Sequence, residues 1–256
     1  MKICVLGSGS KGNCTFVGSD RTRLLIDAGL SSRQTHLRLR SAGLPEESID
    51  AICVSHEHSD HRSGLKTLQR HTGAELYANS ATIEAIERDA RLRGLPWKQF
   101  TTGSAFRIGD LDIEPFSVPH DSYDPVGFII RHENDSIGIV TDMGIPTELI
   151  RNKLRNCRII VLESNHDETL LRDSPRPWSL KKRIMSRQGH LSNQQAAELL
   201  SEISGPALKA VFLAHLSSDC NNPELALKTS VDALLAREMN HVKVLLTYAD
   251  RASDMI

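Results

Sequence analysis

Several things are scarce in this sequence of 256 residues, and each scarcity removes a class of protein. No stretch approaches the ~20 consecutive apolar residues that span a bilayer, so no transmembrane segment is expected. The opening MKICVLGSGSKGNC carries one lysine and a four-residue apolar run before glycines intervene. That is too short for the core of a secretion signal, and the expected location is the cytoplasm. Cys4, Cys14, Cys53, Cys157 and Cys220 are odd in number, scattered and without a C-x-x-C pair, which fits reduced thiols rather than a disulfide framework. An excess of charge is missing too: 31 Lys and Arg face 32 Asp and Glu, for a net charge of -1. There is no global attraction to a polyanion, so any contact with nucleic acid has to be local. Short repeats, low-complexity tracts and linkers are also absent, and the length suits one α/β domain over residues 1–256.

What is present is a succession of short β-branched and apolar runs, each closed by glycine, proline or polar residues. KICVLGSGS, CTFVGS, RLLIDAG, AICVSH, AELYAN, FRIGDLDIEPFSVPH, VGFIIRHENDSIGIVTDMG, RIIVLESN, AVFLAHLS and KVLLTYAD read as strands. Helical spacing covers 32–42, 80–93, 146–156, 192–203 and 223–238, several of these opened by Ser, Asn or Pro. IIRHENDSIGIV reads as a hairpin. Alternation of strand and helix toward the end predicts a mixed sheet covered by helices. Residues 167–189, with two prolines and a cluster of positive charge, read as a flap rather than core.

The chemistry concentrates in SHEHSDH, Ser55 to His61, directly after the apolar run IDAICV. A strand running into His56 projects His56 and His58 to one side, and Asp60 and His61 curl back over the same point. Neutral imidazole and carboxylate are ligands for borderline divalent metals, whereas the same groups packed without an ion would be unpaired at the end of a buried strand. A lone histidine is usually a satisfied or exposed imidazole. Here further polar residues end apolar runs elsewhere: His120 after FSVP, Asp142 after IGIVT and His215 after AVFLA. Strand ends are where open sheets gather ligands, because the side chain leaves the core while the backbone stays fixed.

With Asp27 in LLIDAG, HEHSDH, His120, Asp142 and His215 in this order, the chain resembles a metallo-β-lactamase-fold hydrolase over about residues 1–220. The resemblance implies a four-layer αββα sandwich with two divalent metal ions between the sheets, Zn(II) or Mn(II), with Fe(II) also suited to N/O ligands. It assigns His56, His58 and His120 to one ion, Asp60, His61 and His215 to the other, and Asp142 to a bridge. It makes Asp27 a partner that hydrogen-bonds a ligand; the plain alternative is a strand-ending cap. β-Lactamases of this fold commonly carry cysteine where Asp142 stands, and flavodiiron proteins commonly carry glutamate in place of His58. Glyoxalase-II-like thioesterases and phosphodiesterases share the full set.

VLESNHD, Val161 to Asp167, and GHLSNQQAAE, Gly189 to Glu198, are similar to motifs of nucleases related to tRNA 3′-processing ribonucleases. Together with LGSGSKGNC they resemble the YycJ/WalJ-like subfamily, regarded as DNA exonucleases acting 5′ to 3′. The implied reaction is phosphodiester hydrolysis of a single-stranded or duplex DNA end by a metal-bridging hydroxide that Asp60 helps orient. RNA processing and thioester hydrolysis are the alternatives. His190, oriented by Glu163, is the expected donor to phosphate oxygen or leaving group; its plain alternative is a helix-start histidine without a task. Ser10, Lys11, Gly12 and Asn13 form a glycine-rich turn whose N–H groups could cradle phosphate, though an ordinary strand-to-turn connection reads equally well. His166 is either a substrate-side donor or an exposed loop residue. Arg172, Arg176, Lys181, Lys182, Arg183 and Arg187, with Trp178, form a local basic segment suited to phosphates and a base, or merely a solvated face.

Overall fold

A computed structural model describes residues 1–44 and 49–256. Two sheets face one another. The first contains β1 (Lys2–Gly7), β2 (Cys14–Gly18), β3 (Arg23–Ile26), β4 (Ala51–Cys53), β5 (Glu75–Asn79) and β6 (Trp97–Phe100), in that order across the sheet. β1 to β3 pair antiparallel, and β3 to β6 pair parallel. The second contains β7 (Phe106–Ile108), β8 (Leu111–Ser117), β9 (Val126–His132), β10 (Asp135–Val140), β11 (Ile159–Glu163), β12 (Ala210–Ala214) and β13 (Lys243–Leu246). Here β7 to β10 are antiparallel and β10 to β13 parallel.

The strands read as continuous apolar runs because both of their faces are covered. Along β3, Leu24 and Ile26 enter the core between the sheets, where Phe128, Ile137 and Phe212 meet them, while Leu25 points to the outer layer. Along β11, Ile159 and Val161 point inward, and Ile160 and Leu162 point outward. The outer layer over the first sheet is α1 (Ser32–Ser41), α3 (Leu65–Thr72) and α4 (Ser80–Glu87), through Leu39, Leu65, Leu68 and Ile86. Over the second lie α5 (Glu148–Leu154), α8 (Asn193–Ile203) and α9 (Pro223–Leu235), through Ile150, Leu154, Leu199, Leu200 and Ala226. The result is the αββα sandwich.

Local sequence explains the helix starts. Ser31 caps α1, Asn79 caps α4, Thr147 caps α5 and Asn222 caps α9, each accepting a backbone N–H of the first turn. Ser192 and Gln195 close a reciprocal capping box on α8. The hairpin of β9 and β10 turns through Glu133, whose φ is 53°.

Three local expectations differ from the structure. The strand before SHEHSDH stops at Cys53, so His56 and His58 stand on a loop, and Asp60 and His61 on α2 (Ser59–Arg62), a single turn whose N-cap is His58. The helix expected at 80–93 ends at Glu87 and continues as turns. Residues 167–189 are not a structureless flap: α6 (Glu168–Asp173) and α7 (Trp178–Ile184) fold around Leu171, Ile184 and Cys220, with Pro177 as the N-cap of α7. The prolines there begin a helix rather than prevent one.

Candidate metal centre

Within the first sheet β1, β3 and β4 run in one direction, within the second β8, β10, β11 and β12 do, and contacts such as His61 to Asp142 and Asp60 to His215 bring the C-terminal ends of the two sets together. Their C-terminal ends are therefore gathered along one edge of the sandwich. Asp27 follows β3, the SHEHSDH loop follows β4, His120 follows β8, Asp142 follows β10, Glu163 ends β11 and His215 follows β12.

On one side three imidazoles meet nitrogen to nitrogen. His56 Nε2 lies 3.1 Å from His58 Nδ1, which lies 3.3 Å from His120 Nε2. His120 donates from Nδ1 to the Gly189 carbonyl at 3.1 Å, so its Nε2 carries a lone pair directed at the other rings. On the other side His61 donates from Nδ1 to Asp27 at 2.8 Å, and its Nε2 lies 3.0 Å from Asp142 Oδ2 and 3.6 Å from Asp60 Oδ2. His215 donates from Nδ1 to Glu163 at 2.9 Å, and its Nε2 faces Asp60 Oδ2 at 3.6 Å. Asp142 stands between, with Oδ1 3.3 Å from His215 Nδ1 and 3.9 Å from His120 Nε2.

These distances test whether the donor set fits cations. The approach of His61 Nε2 to Asp142 Oδ2 is short but lies outside hydrogen-bond geometry, and Asp142 Oδ2 and His215 Nε2 are buried with no hydrogen-bond partner. Lone pairs that converge without a donor are stabilised by a shared positive charge, and imidazole with carboxylate is a set that borderline divalent ions accept. Two groups of ligand atoms, His56, His58, His120 and His56, His61, Asp142, are each close enough to hold an ion, and Asp142, Glu163, His190, His215 form a third. The residues fit divalent metal.

The electrostatics carry the same imbalance. Burial would pull His61 and His215 down, but Asp27 with Asp142 lifts His61 well above the ordinary imidazole range, and Asp142, Asp60 and Glu163 push His215 up to about 10. Burial would raise Asp142, yet His215 and His61 hold it well below the ordinary carboxylate range. His56, deeply buried beside His61, is driven well down.

Each outer nitrogen has a built partner. Asp27, at φ 64°, accepts from Ser55 N at 2.8 Å and from the Ser55 hydroxyl as well as from His61. Glu163 Oε1 accepts from both His215 and His190, the latter at 2.7 Å, while Oε2 accepts from Met143 N and Leu191 N. One carboxylate thus holds both His190 and His215. Acidic partners of this kind fix the ring and its tautomer.

Part of the glycine-rich turn is engaged within the protein. Gly9 N donates to Asn13 Oδ1, Gly12 N to Gly9 O and Asn13 N to Asp60 O, so three of its amides are already engaged. Buried Asn13 points its amide at Asp60 Oδ2, 3.2 Å, and His61 Nε2, 3.0 Å. Ser10 instead lines a recess of ≈ 180 Å³ with His190, Arg176, Arg183, Asn165 and Ser217. Lys11 and Gly12 do not line it, and His166 is buried outside it with Nδ1 unpartnered. Arg176 and Arg183 are held by Asp219 and Asp121. The sequence reading passed over Ser55, over Asn165, which donates to the His215 carbonyl at 2.8 Å, and over the Gly189 carbonyl. All three lie inside the quoted motifs, which is the one local signal they had.

Fold and site together define a metal-dependent hydrolase of the αββα type. The chain belongs to the β-lactamase superfamily, matching the "Beta-lactamase superfamily domain" over residues 22–216, and within it to the YycJ/WalJ-like subfamily. It is 38% identical over 238 residues to Exodeoxyribonuclease YycJ of Bacillus anthracis, covering 92% of this chain and 89% of that protein. It is 36% identical over 241 residues to Exodeoxyribonuclease WalJ of Streptococcus pneumoniae, covering 93% and 90%. The crystal structure of the metallo-beta-lactamase fold protein YhfI from Bacillus subtilis superposes with a TM-score of 0.74 at 16% identity, covering 98% of each chain, and supports the fold.

Proposed function

We propose that this protein is an exodeoxyribonuclease that hydrolyses phosphodiesters from a DNA end in the 5′ to 3′ direction. The observation that carries the reading is the Glu163–His190 pair, 2.7 Å apart, set between the ligand cluster and the recess lined by Arg176 and Arg183. The relatives bearing the name exodeoxyribonuclease support it.

His56, His58 and His120 would hold one divalent cation and Asp60, His61 and His215 a second, with Asp142 between them; Zn(II), Mn(II) and Fe(II) all suit these donors. Such a pair supplies an acidified water and Lewis-acid stabilisation of phosphate charge. The chain's own groups do the rest. Asp60, steadied by Asn13, keeps its carboxylate beside His61 and His215. His190, half-buried, has Nδ1–H on Glu163, which leaves Nε2 for the substrate side, where as imidazolium it donates to the leaving oxygen. Burial lowers the proton affinity of His190, but Glu163 outweighs it and raises it, which suits an acid. Arg176 and Arg183 would hold the neighbouring phosphates, exchanging Asp219 and Asp121 for the polyanion.

The test is degradation of 5′- and 3′-end-labelled single-stranded and duplex oligonucleotides across Zn(II), Mn(II) and Mg(II), with matched RNA. Stepwise loss of DNA from the 5′ end, abolished by His58→Ala, is expected. Activity surviving His58→Ala, or preference for RNA, would overturn the assignment. His190→Ala is expected to lower kcat about 10²–10⁴-fold with metal content retained.

A further inference from the structure

We propose that Tyr123 is a stacking platform for the nucleobase beside the scissile phosphate, so that the site grips an unpaired polynucleotide end by the face of a base and not by its identity. This rests on the nuclease reading above and names how its substrate is held.

The sequence has only two tryptophans, three tyrosines and six phenylalanines. Among them Tyr123, 61% exposed, and Trp178, 57% exposed, are the ones left on the surface. Tyr123 comes three residues after His120, and the two residues share a recess of ≈ 410 Å³. Pro119, Pro125 and Leu149 line that recess together with Ser122, Thr147 and Gln188, and its one carboxylate, Asp124, accepts from Thr102 at 2.8 Å. The recess beside His190 has two arginines instead. His190 borders one hollow and His120 the other, so both adjoin the ligand cluster; the arginines suit the first to phosphate, and the second, which has no Lys or Arg, offers the exposed Tyr123 ring instead.

The ring is also held. Glu57, the non-ligating acid inside HEHSDH, accepts from the Ser122 hydroxyl at 2.7 Å and from Tyr123 N at 3.3 Å. Asn79 donates to the Asp124 carbonyl at 2.7 Å. Arg88 donates to the Tyr123 hydroxyl and places its guanidinium carbon 4.8 Å from the ring centroid, while Glu84 holds Arg88 at 3.2 Å. Tyr123 stays 61% exposed although Arg88 orders it, so a partner that stacks on the ring costs little further side-chain freedom. Bases stack on such rings whatever their sequence, because each has a π-face.

The test uses the metal-loaded protein and a single strand carrying 2-aminopurine beside a hydrolysis-resistant phosphorothioate linkage at its 5′ end. Wild type is expected to quench the fluorescence. Tyr123→Ala should weaken binding, and raise KM for the unmodified strand, about 5- to 150-fold with little change in kcat. Tyr123→Trp should restore both, and an abasic nucleotide at that position should remove the difference between wild type and Tyr123→Ala. Wild-type cleavage with quenching and KM unaltered by Tyr123→Ala would overturn the platform alone. A wild type that neither cleaves nor quenches removes the nuclease reading, and the platform with it.

Discussion

Asp27 and Glu163 hold corresponding stations behind the ligand cluster, one at the end of a strand in each sheet, each accepting the Nδ1–H of a histidine whose Nε2 faces inward. Asp27→Asn and Glu163→Gln keep shape but weaken that acceptor. Each is expected to lower metal affinity about 10–100-fold, read by competition with a chromogenic chelator. A second residue-scale test lies outside the site. Burial would raise the Asp135 carboxyl, but Arg158, at 2.7 Å through Nη2, and the Met1 ammonium, at 2.9 Å, outweigh it and lower it. A carboxylate depressed in the folded state adds stability above its unfolded pKa of about 3.9 and loses that contribution as pH falls through the folded value. Asp135→Asn is therefore expected to cost about 1 kcal/mol at pH 7, a Tm difference of roughly 2–4 °C that closes as the medium is acidified below about pH 4. Equal Tm differences at pH 7 and pH 3 would contradict this.

At the scale of elements, α2 docks where no side chain would fit. A Cβ on Gly29 would stand 1.6 Å from the Asp60 carbonyl oxygen, whose neighbour His61 is tied by its own carbonyl to Ala28 N at 2.8 Å. Gly29→Ala is expected to push the Asp60–His61 turn off its seat, costing about 3 kcal/mol and lowering bound metal, measured by thermal melting and elemental analysis. α8 offers a milder comparison: Ser192→Ala removes its cap at a cost of about 1 kcal/mol with metal content intact. Elements also show what sequence pattern carries. Strands with both faces covered announce themselves as apolar runs, whereas β6, an edge strand with Lys98 and Gln99 exposed, and the single turn α2 do not. Too few residues repeat in either for a period to emerge.

Over the whole molecule, the ligand cluster joins two halves that also meet through an apolar core and scattered hydrogen bonds such as Met1 to Asp135 and Asn79 to the Asp124 carbonyl. His56 and His61 come from the loop and helix that follow β4 of the first sheet, and His120, Asp142 and His215 from the segments that follow β8, β10 and β12 of the second. A cation binding this cluster binds the native arrangement and not the unfolded chain. Removing metal with a chelator is expected to lower Tm, by roughly 5–10 °C relative to protein in metal at a hundredfold excess over Kd. A Tm indifferent to chelator would argue against occupancy of the cluster. No helix among the described residues is long and apolar enough to cross a membrane.

The sequence by itself determined which histidines and carboxylates follow buried apolar runs, because a sandwich ends such runs at its edges, although it misplaced His56 and His58 by setting them on the strand. His56, His58, Asp60, His61, His120, Asp142 and His215 read as ligands on that ground, Glu163 and His190 as partners from the motif resemblance, and the fold brings these side chains together. Only the tertiary structure decided which nitrogen of each ring faces inward, that the Asn13 amide meets Asp60 and His61, and that residues 167–189 build a wall of the cleft. Those facts depend on hydrogen bonds between residues as far apart as Asn165 and His215 or His120 and Gly189. No local pattern encodes such a contact, since it exists only once two packed sheets bring their ends to one edge.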